Sequence, residues 1–125
     1  MKNLVYQYYI PYEMNDKDMG GVDLPEWAHA GKRSAQTYAK HCGAEYMLDH
    51  TRYFEHIDPR LDSIKIVFDP KFDEYDTILS MDLDMLISTH DNIFRLLDSD
   101  SDIAMVHELG VHTVGPSGLL RRVVE

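Results

Sequence analysis

The sequence predicts an α/β domain in which helices flank a mostly parallel central sheet. Segments rich in β-branched and aromatic residues alternate along the chain with segments whose apolar residues recur at helical spacing. The 125 residues, 44% of them apolar and 27% charged, are enough to form one hydrophobic core. No apolar run approaches the about 20 residues that span a bilayer. We therefore expect a single domain over residues 1–125, without a transmembrane segment.

The first half of the chain predicts a strand, a long helix and a second strand. Asn3–Ile10 (NLVYQYYI) is aromatic and β-branched, and Ala44–Leu48 (AEYML) is short and partly apolar. Between them, Leu24–Cys42 has the spacing of an amphipathic helix and is followed by Gly43, a residue suited to ending it. We expect one helical stripe to face the sheet, formed by Trp27, Ala30, Ser34, Ala35, Tyr38 and Cys42.

The second half predicts another helix, two strands and a short helix, which brings the sheet to at least four strands. Asp58 before Pro59 is typical of a helix start. The apolar face of that helix would hold Leu61, Ile64, Val67 and Phe68, although the string IKIVF is also compatible with a strand. Thr77–Met81 and Ile103–Val106 predict strands, and Asp91 predicts the cap of the short helix.

Charge and cysteine content restrict the classes of partner. The formal net charge is −10, and residues 44–108 hold 16 acidic against 5 basic side chains. Nucleic acid is therefore not an expected partner, because phosphate binding needs a basic face. The lone Cys42 excludes an intrachain disulfide, and the N-terminus has no signal-peptide pattern. These features predict a cytoplasmic protein.

The most informative motif is ILSMDLDMLI, at Ile78–Ile87. Two carboxylates, Asp82 and Asp84, directly follow an apolar strand. Residues i and i+2 of an extended chain point to the same side, so the two side chains should converge. Mg²⁺ and Mn²⁺ take one or two carboxylates together with water and substrate phosphate. The motif therefore predicts a divalent-cation site, and the alternative is a turn in which both side chains cap backbone N–H groups.

This region resembles the D-x-D region of GT-A glycosyltransferases. Phe72–Ile87 (FDEYDTILSMDLDMLI) is similar to the pattern F-x-x-Y-D-x-I-L-x-x-D-x-D-x-L that members of the family often show. Asn92–Leu96 (NIFRL) resembles the helix start often found just after that motif. Upstream, Asn3–Leu48 has the strand–helix–strand order of the nucleotide-binding half of such enzymes. The resemblance covers most of the chain and is specific over Asp69–Leu97.

The resemblance implies a GT-A-like fold and a metal-dependent glycosyltransferase. Such an enzyme would move a sugar from a UDP- or GDP-sugar donor to a carbohydrate or glycoconjugate acceptor. Asp84 would bind Mn²⁺ or Mg²⁺ directly, and Asp82 would bind the metal or the ribose. A divalent cation suits this chemistry because the leaving diphosphate gains negative charge as the glycosyl bond breaks. No residue is predicted as the catalytic base.

Four further residues are candidate donor contacts by the same resemblance. Lys65 would face the donor, with an exposed helix lysine as the alternative. Asp49 would bind the nucleobase or ribose, with a strand-end cap as the alternative. Tyr8 and Pro11 end the first strand where a nucleotide would lie at the sheet edge, and the alternative for the tyrosine is core packing.

Two other functions stay open at this point. Only 41 residues follow Asp84, fewer than GT-A domains generally carry, so the chain could be a donor-binding half-domain or fragment that binds nucleotide and metal without turnover. A haloacid dehalogenase-type phosphohydrolase also places D-x-D at a strand end. That family expects Thr or Val two residues after the second aspartate, where this chain has Leu86, and it carries the motif on its first strand.

Overall fold

A computed structural model of the chain describes residues 1–10, 24–97, 100 and 103. The described residues form three strands, two α-helices and two 3-10 helices, in an alternating order that confirms the predicted α/β class. In chain order these are β1 (Asn3–Tyr8), α1 (Glu26–Cys42), β2 (Glu45–Asp49), the long 3-10 helix (Pro59–Val67), the short 3-10 helix (Pro70–Phe72), β3 (Thr77–Ser80) and α2 (Ile93–Leu96).

The three described strands form one parallel sheet in the order β2-β1-β3. Val5 of β1 lies beside Tyr46 of β2 and Leu79 of β3. The central strand of the described sheet is thus β1, and β3 lies at its edge. The further strand predicted at Ile103–Val106 lies outside the described residues, apart from its first residue.

Helix α1 covers one face of the sheet with only part of the predicted stripe, including Ala35 and Tyr38. It ends at Cys42, as expected, because Gly43 takes a left-handed conformation with φ 67°. Its buried positions are Ala28, Gly31, Ala35, Tyr38 and Ala39. Trp27, predicted to face the sheet, is 58% exposed, and Ala30 is exposed as well. Small side chains let the helix approach the strands closely, so the buried stripe follows them rather than the bulkiest residue.

The long 3-10 helix lies on the opposite face, where Ile66 packs against an apolar cluster formed by Leu4, Tyr6 and Phe72. A 3-10 helix has 3.0 residues per turn, so residues three apart form straight rows. One row, Asp62 and Lys65, is fully buried. Another row, Leu61, Ile64 and Val67, is 46–69% exposed, so the predicted apolar face points away from the core. The predicted start was correct, because the Asp58 carboxylate accepts a hydrogen bond from the Arg60 amide and Pro59 opens the helix.

The start of α2 differs from the prediction by one residue. The side-chain oxygen of Asn92 accepts a hydrogen bond at 3.0 Å from the amide of Phe94. The predicted cap, Asp91, instead accepts a hydrogen bond from the hydroxyl of Thr89. The cap assigned to Asp91 was therefore wrong, since its carboxylate is used by the preceding turn.

The chain separates into two compact units, residues 1–95 and residues 96–125. The structure describes only Leu96, Leu97, Asp100 and Ile103 of the second unit, and all features discussed below lie in the first. The prediction of a single domain over 1–125 stays a prediction. None of the helices in the described residues has the length and apolar character required to cross a membrane.

Candidate functional site

The carboxyl ends of the three parallel strands lie at one edge of the sheet, where α/β proteins bind ligands. Tyr8, the last residue of β1, is in register with Asp49, the last residue of β2. On the other side of β1, Tyr6 pairs with Ser80, the last residue of β3. Asp82 follows two residues later. Three of the predicted site residues therefore come from the ends of neighbouring strands, whereas Pro11 lies outside the described residues.

The D-x-D sequence forms a turn directly after β3. The carbonyl of Asp82 accepts a hydrogen bond from the amide of Met85, and it also accepts one at 3.2 Å from the side-chain amide of Gln7 on β1. Leu83 is buried, whereas Asp82 and Asp84 on either side of it are exposed. The segment is thus a turn rather than the extended chain expected from its spacing, and the central strand holds its backbone through Gln7. The convergence of the two carboxylates stays a prediction.

The two carboxylates of this turn are available for a ligand. Within the described residues, the side chains of Asp82 and Asp84 make no hydrogen bond or ion pair. Capping of turn amides, the alternative considered for this motif, is therefore not how these side chains are used in that part of the chain. Asp82 takes part in hydrogen bonds of the turn through its backbone carbonyl.

The donor set of the turn fits a hard divalent cation shared with a phosphate ligand. Carboxylate oxygens suit Mg²⁺ and Mn²⁺, which often take only one or two protein carboxylates and fill their remaining positions with water and substrate phosphates. In the described ranges, no group of three or more His, Cys, Asp or Glu side chains is arranged to hold a metal ion. Asp82 and Asp84 thus fit a metal shared with a bound ligand rather than a closed protein cage.

Asp49 and Lys65, both predicted to contact a donor, contact each other. The Nζ atom of Lys65 lies 2.8 Å from Oδ2 of Asp49 and 3.5 Å from Oδ2 of Asp62. All three side chains are buried. The Lys65 ammonium also donates to the carbonyl of Thr51. The alternative of an exposed helix lysine is therefore wrong, because this lysine neutralises two buried carboxylates.

The ionic network formed by Asp49, Asp62 and Lys65 also fixes the loop after β2. Asp49 accepts hydrogen bonds from the amide and hydroxyl of Thr51, at 2.9 and 2.6 Å. The Asp62 carboxylate accepts hydrogen bonds from the backbone amides of Tyr53 and Phe54, and the one from Phe54 is 2.8 Å long. The sequence analysis did not identify Asp62 as a site residue. Its spacing of three residues from Lys65 is the available signal, because that spacing aligns both side chains on a 3-10 helix.

Electrostatics keep the carboxylate of Asp49 charged and the phenol of Tyr6 neutral. Burial disfavours the Asp49 carboxylate, but hydrogen bonds from Lys65 and Thr51 outweigh it and hold the pKa of Asp49 well below its usual range. Burial raises the pKa of Tyr6, whose hydroxyl donates to Asp49 at 3.3 Å, and the nearby carboxylate raises it further. Asp49 is therefore a fixed anion, which is unsuited to accepting a proton near neutral pH.

Tyr8 is also engaged inside the fold. Its hydroxyl donates to the carbonyl of Pro59, and the Nζ atom of Lys65 lies 5.2 Å from its ring centroid. Burial raises the pKa of its phenol. The partly buried Tyr8 packs against the apolar cluster of Leu4, Tyr6 and Phe72, which supports the core-packing interpretation of this tyrosine.

Lys71 is a further residue of this edge that the sequence did not reveal. Its Nζ atom lies 3.1 Å from Oδ2 of Asp49 and 3.8 Å from Oδ2 of Asp69, and its side chain is 40% exposed. Asp49 thus pairs with one buried and one partly exposed lysine. No local sequence pattern distinguishes Lys71 from a surface lysine, because its partner is 22 residues away.

Comparisons with known proteins found no match: no family model, no curated protein and no solved structure matches the chain.

Proposed function

We propose that the chain binds a nucleotide-diphosphate sugar through a divalent cation held by Asp82 and Asp84, and that it acts as a metal-dependent glycosyltransferase. The observation that carries the proposal is the turn after β3. It presents two exposed carboxylates, without partners among the described residues, at the carboxyl edge of a parallel sheet. The resemblance of Phe72–Ile87 to the D-x-D region supports the choice of a sugar nucleotide.

The chain's own residues would act by holding the donor rather than by moving a proton. Asp82 and Asp84 would bind Mn²⁺ or Mg²⁺, which when bound supplies positive charge against the leaving diphosphate. Gln7 fixes the backbone of the turn through the carbonyl of Asp82. Since Asp49 and Lys65 are paired with each other, we assign them to holding the loop at residues 51–54 beside the donor.

A thermal-shift panel tests this proposal. UDP, GDP and their sugar conjugates would be measured with Mn²⁺, with Mg²⁺ and with EDTA. We expect a rise in melting temperature only when nucleotide and cation are both present, because a ligand that binds the native state stabilises it. The same shift in EDTA as in Mn²⁺ would contradict a metal-bridged diphosphate.

Two activity measurements separate the remaining functions. Hydrolysis or transfer of a UDP- or GDP-sugar supports the glycosyltransferase. Hydrolysis of a generic phosphate ester, with no effect of sugar nucleotides, would favour a phosphohydrolase. Metal-dependent nucleotide binding without transfer or donor hydrolysis would favour the donor-binding half-domain.

A further inference from the structure

Helix α1 touches the D-x-D turn through a glycine. A Cβ atom built on Gly31 would lie 1.7 Å from the carbonyl oxygen of Leu83 and 3.2 Å from that of Met85. These two residues flank Asp84 on both sides. Only a residue without a side chain allows this approach, because the obstructing atoms belong to the backbone and cannot rotate away. The backbone around Asp84 thus rests directly on α1.

The same face of α1 holds the chain beyond the turn. One turn after Gly31, the hydroxyl of Ser34 accepts a hydrogen bond at 2.9 Å from the amide of Ile87. One turn further, the hydroxyl of Tyr38 donates to the carbonyl of Asp91 at 2.7 Å and accepts from the amide of Ile93 at 3.0 Å. Residues 83–93 are therefore attached to one helix face at successive positions.

We propose that Gly31 and Ser34 are positioning residues that set the divalent-cation affinity of Asp82 and Asp84. The inference rests on the proposed function. Within the described residues the two carboxylates have no partners of their own, so their placement depends on the backbone that carries them. Gln7 holds that backbone from β1, and α1 holds it from the other side. A cation that demands near-ideal octahedral geometry is sensitive to small shifts of either carboxylate.

Four variants test this inference. Gly31→Ala adds a methyl group against the Leu83 carbonyl, and Ser34→Ala removes the acceptor for the Ile87 amide. Ser34→Thr keeps a hydroxyl at that position. Thr37→Ala is the matched control, because it removes an exposed hydroxyl from the same helix without touching the turn.

Two readouts are needed, and one of them does not involve the metal. Amide hydrogen exchange of the metal-free proteins should show faster exchange at residues 83–87 for Gly31→Ala and Ser34→Ala. Calorimetry with Mn²⁺ in the presence of UDP should show metal affinity lowered by about 10-fold to 100-fold for Gly31→Ala, the usual effect of losing support behind a metal ligand. Ser34→Ala should lose less affinity, Ser34→Thr should recover it, and Thr37→Ala should match the wild type.

The outcomes separate this inference from the proposed function. Wild type that shows no metal-linked UDP or GDP binding would overturn both. Wild type that binds Mn²⁺ while Gly31→Ala and Ser34→Ala bind it equally well would overturn the positioning role alone. If Gly31→Ala does not fold, Ser34→Ala and Ser34→Thr still test the inference. A loss of Mn²⁺ affinity in Ser34→Ala that Ser34→Thr does not recover would contradict the role of the hydroxyl.

Discussion

Helix α1 covers one face of the sheet with alanine, glycine and tyrosine side chains, whereas the long 3-10 helix covers the other with a buried lysine and a buried aspartate. On the α1 face, Val5, Ala35 and Ala39 belong to one apolar cluster. On the 3-10 face, the cluster around Tyr6 meets the ionic network at the Tyr6 hydroxyl. The α1 face thus depends on close apolar packing, and the other face on apolar packing together with the pairing of buried charges.

Substitutions on the two faces of the sheet should destabilise the fold for different physical reasons. Apolar packing weakens gradually with changes in side-chain volume. A buried ion pair contributes little net stability by itself, but removing one partner leaves the other charge buried and unpaired. The D-x-D turn is attached to the α1 face, whereas the loop at residues 51–54 depends on the ionic network. Substitutions on the two faces should therefore affect different parts of the candidate site.

The largest expected effect is at Lys65. Lys65→Ala should lower the free energy of unfolding by about 3–5 kcal/mol, because Asp49 and Asp62 would both lose their buried counterion. Urea denaturation measures this loss of unfolding free energy. Lys71→Ala is the matched control, since it also pairs with Asp49 but is partly exposed, and it should cost less than about 1 kcal/mol. Equal effects of the two substitutions would contradict the buried network.

The next effect is a pH dependence from Asp49. Burial raises the pKa of Asp49, but hydrogen bonds from Lys65 and Thr51 outweigh burial and hold this pKa below its unfolded value of about 3.9. Between those two pKa values the unfolded chain binds more protons, so the free energy of unfolding rises with pH. The stabilisation is complete above about pH 5 and is lost, by on the order of 2 kcal/mol, as pH falls below about 4.

Urea denaturation of Asp49→Asn at several pH values checks this sign. The variant should be less stable than wild type near neutral pH, and the difference should narrow as the pH falls. Asp73→Asn removes an exposed carboxylate and should show a nearly constant difference. A difference in unfolding free energy between wild type and Asp49→Asn that grows as the pH falls would contradict the lowered pKa of Asp49.

Packing on the α1 face should give an intermediate effect. Ala35 is fully buried against the sheet, so Ala35→Leu should cost about 1–3 kcal/mol through overpacking. Ala30→Leu, on the exposed side of the same helix, should change stability by no more than about 0.5 kcal/mol. A reversed order in chemical denaturation would mean that Ala30, rather than Ala35, faces the core.

The smallest effect is expected on the exposed row of the long 3-10 helix. Ile64 is 46% exposed, so Ile64→Ser should change the free energy of unfolding by no more than about 0.5 kcal/mol. The same experiment on Val5→Ser, at a fully buried position of β1, is the contrasting control. A loss at Ile64 as large as that at Val5 would show that this row belongs to the core.

Strand positions could be predicted because they depend on residues close in sequence. The strands begin and end within two residues of their predicted bounds, apart from the strand at Ile103–Val106. The exposure of Asp82 and Asp84 on either side of the buried Leu83 agrees with their spacing, although the segment forms a turn rather than extended chain. The end of helix α1 at Cys42 was predicted, and so was the burial of Ala35 and Tyr38. The burial expected for Trp27 was wrong, because close approach to the sheet favours small residues such as Gly31.

The ionic network could not be predicted because its partners are distant in sequence. Asp49 and Lys65 meet only when the 3-10 helix lies on the sheet, and an apolar pattern of period 3.6 assigned the wrong face to that helix. A period of 3.0 would have aligned Asp62 with Lys65 and exposed Leu61. Two residues assigned to donor binding from the resemblance therefore contact each other in the fold.

Calorimetric titration of UDP and GDP, with Mn²⁺ and with EDTA, tests the central claim most directly. A diphosphate and two carboxylates repel each other unless a cation lies between them. We expect Mn²⁺ to raise nucleotide affinity by about 5-fold to 150-fold, the usual range for coupled ligands. Asp84→Asn should abolish that coupling with little change in stability, Asp82→Asn should weaken it less, and Asp73→Asn should leave it intact. Equal nucleotide affinity in Mn²⁺ and in EDTA for the wild-type protein would contradict a metal site at Asp82 and Asp84.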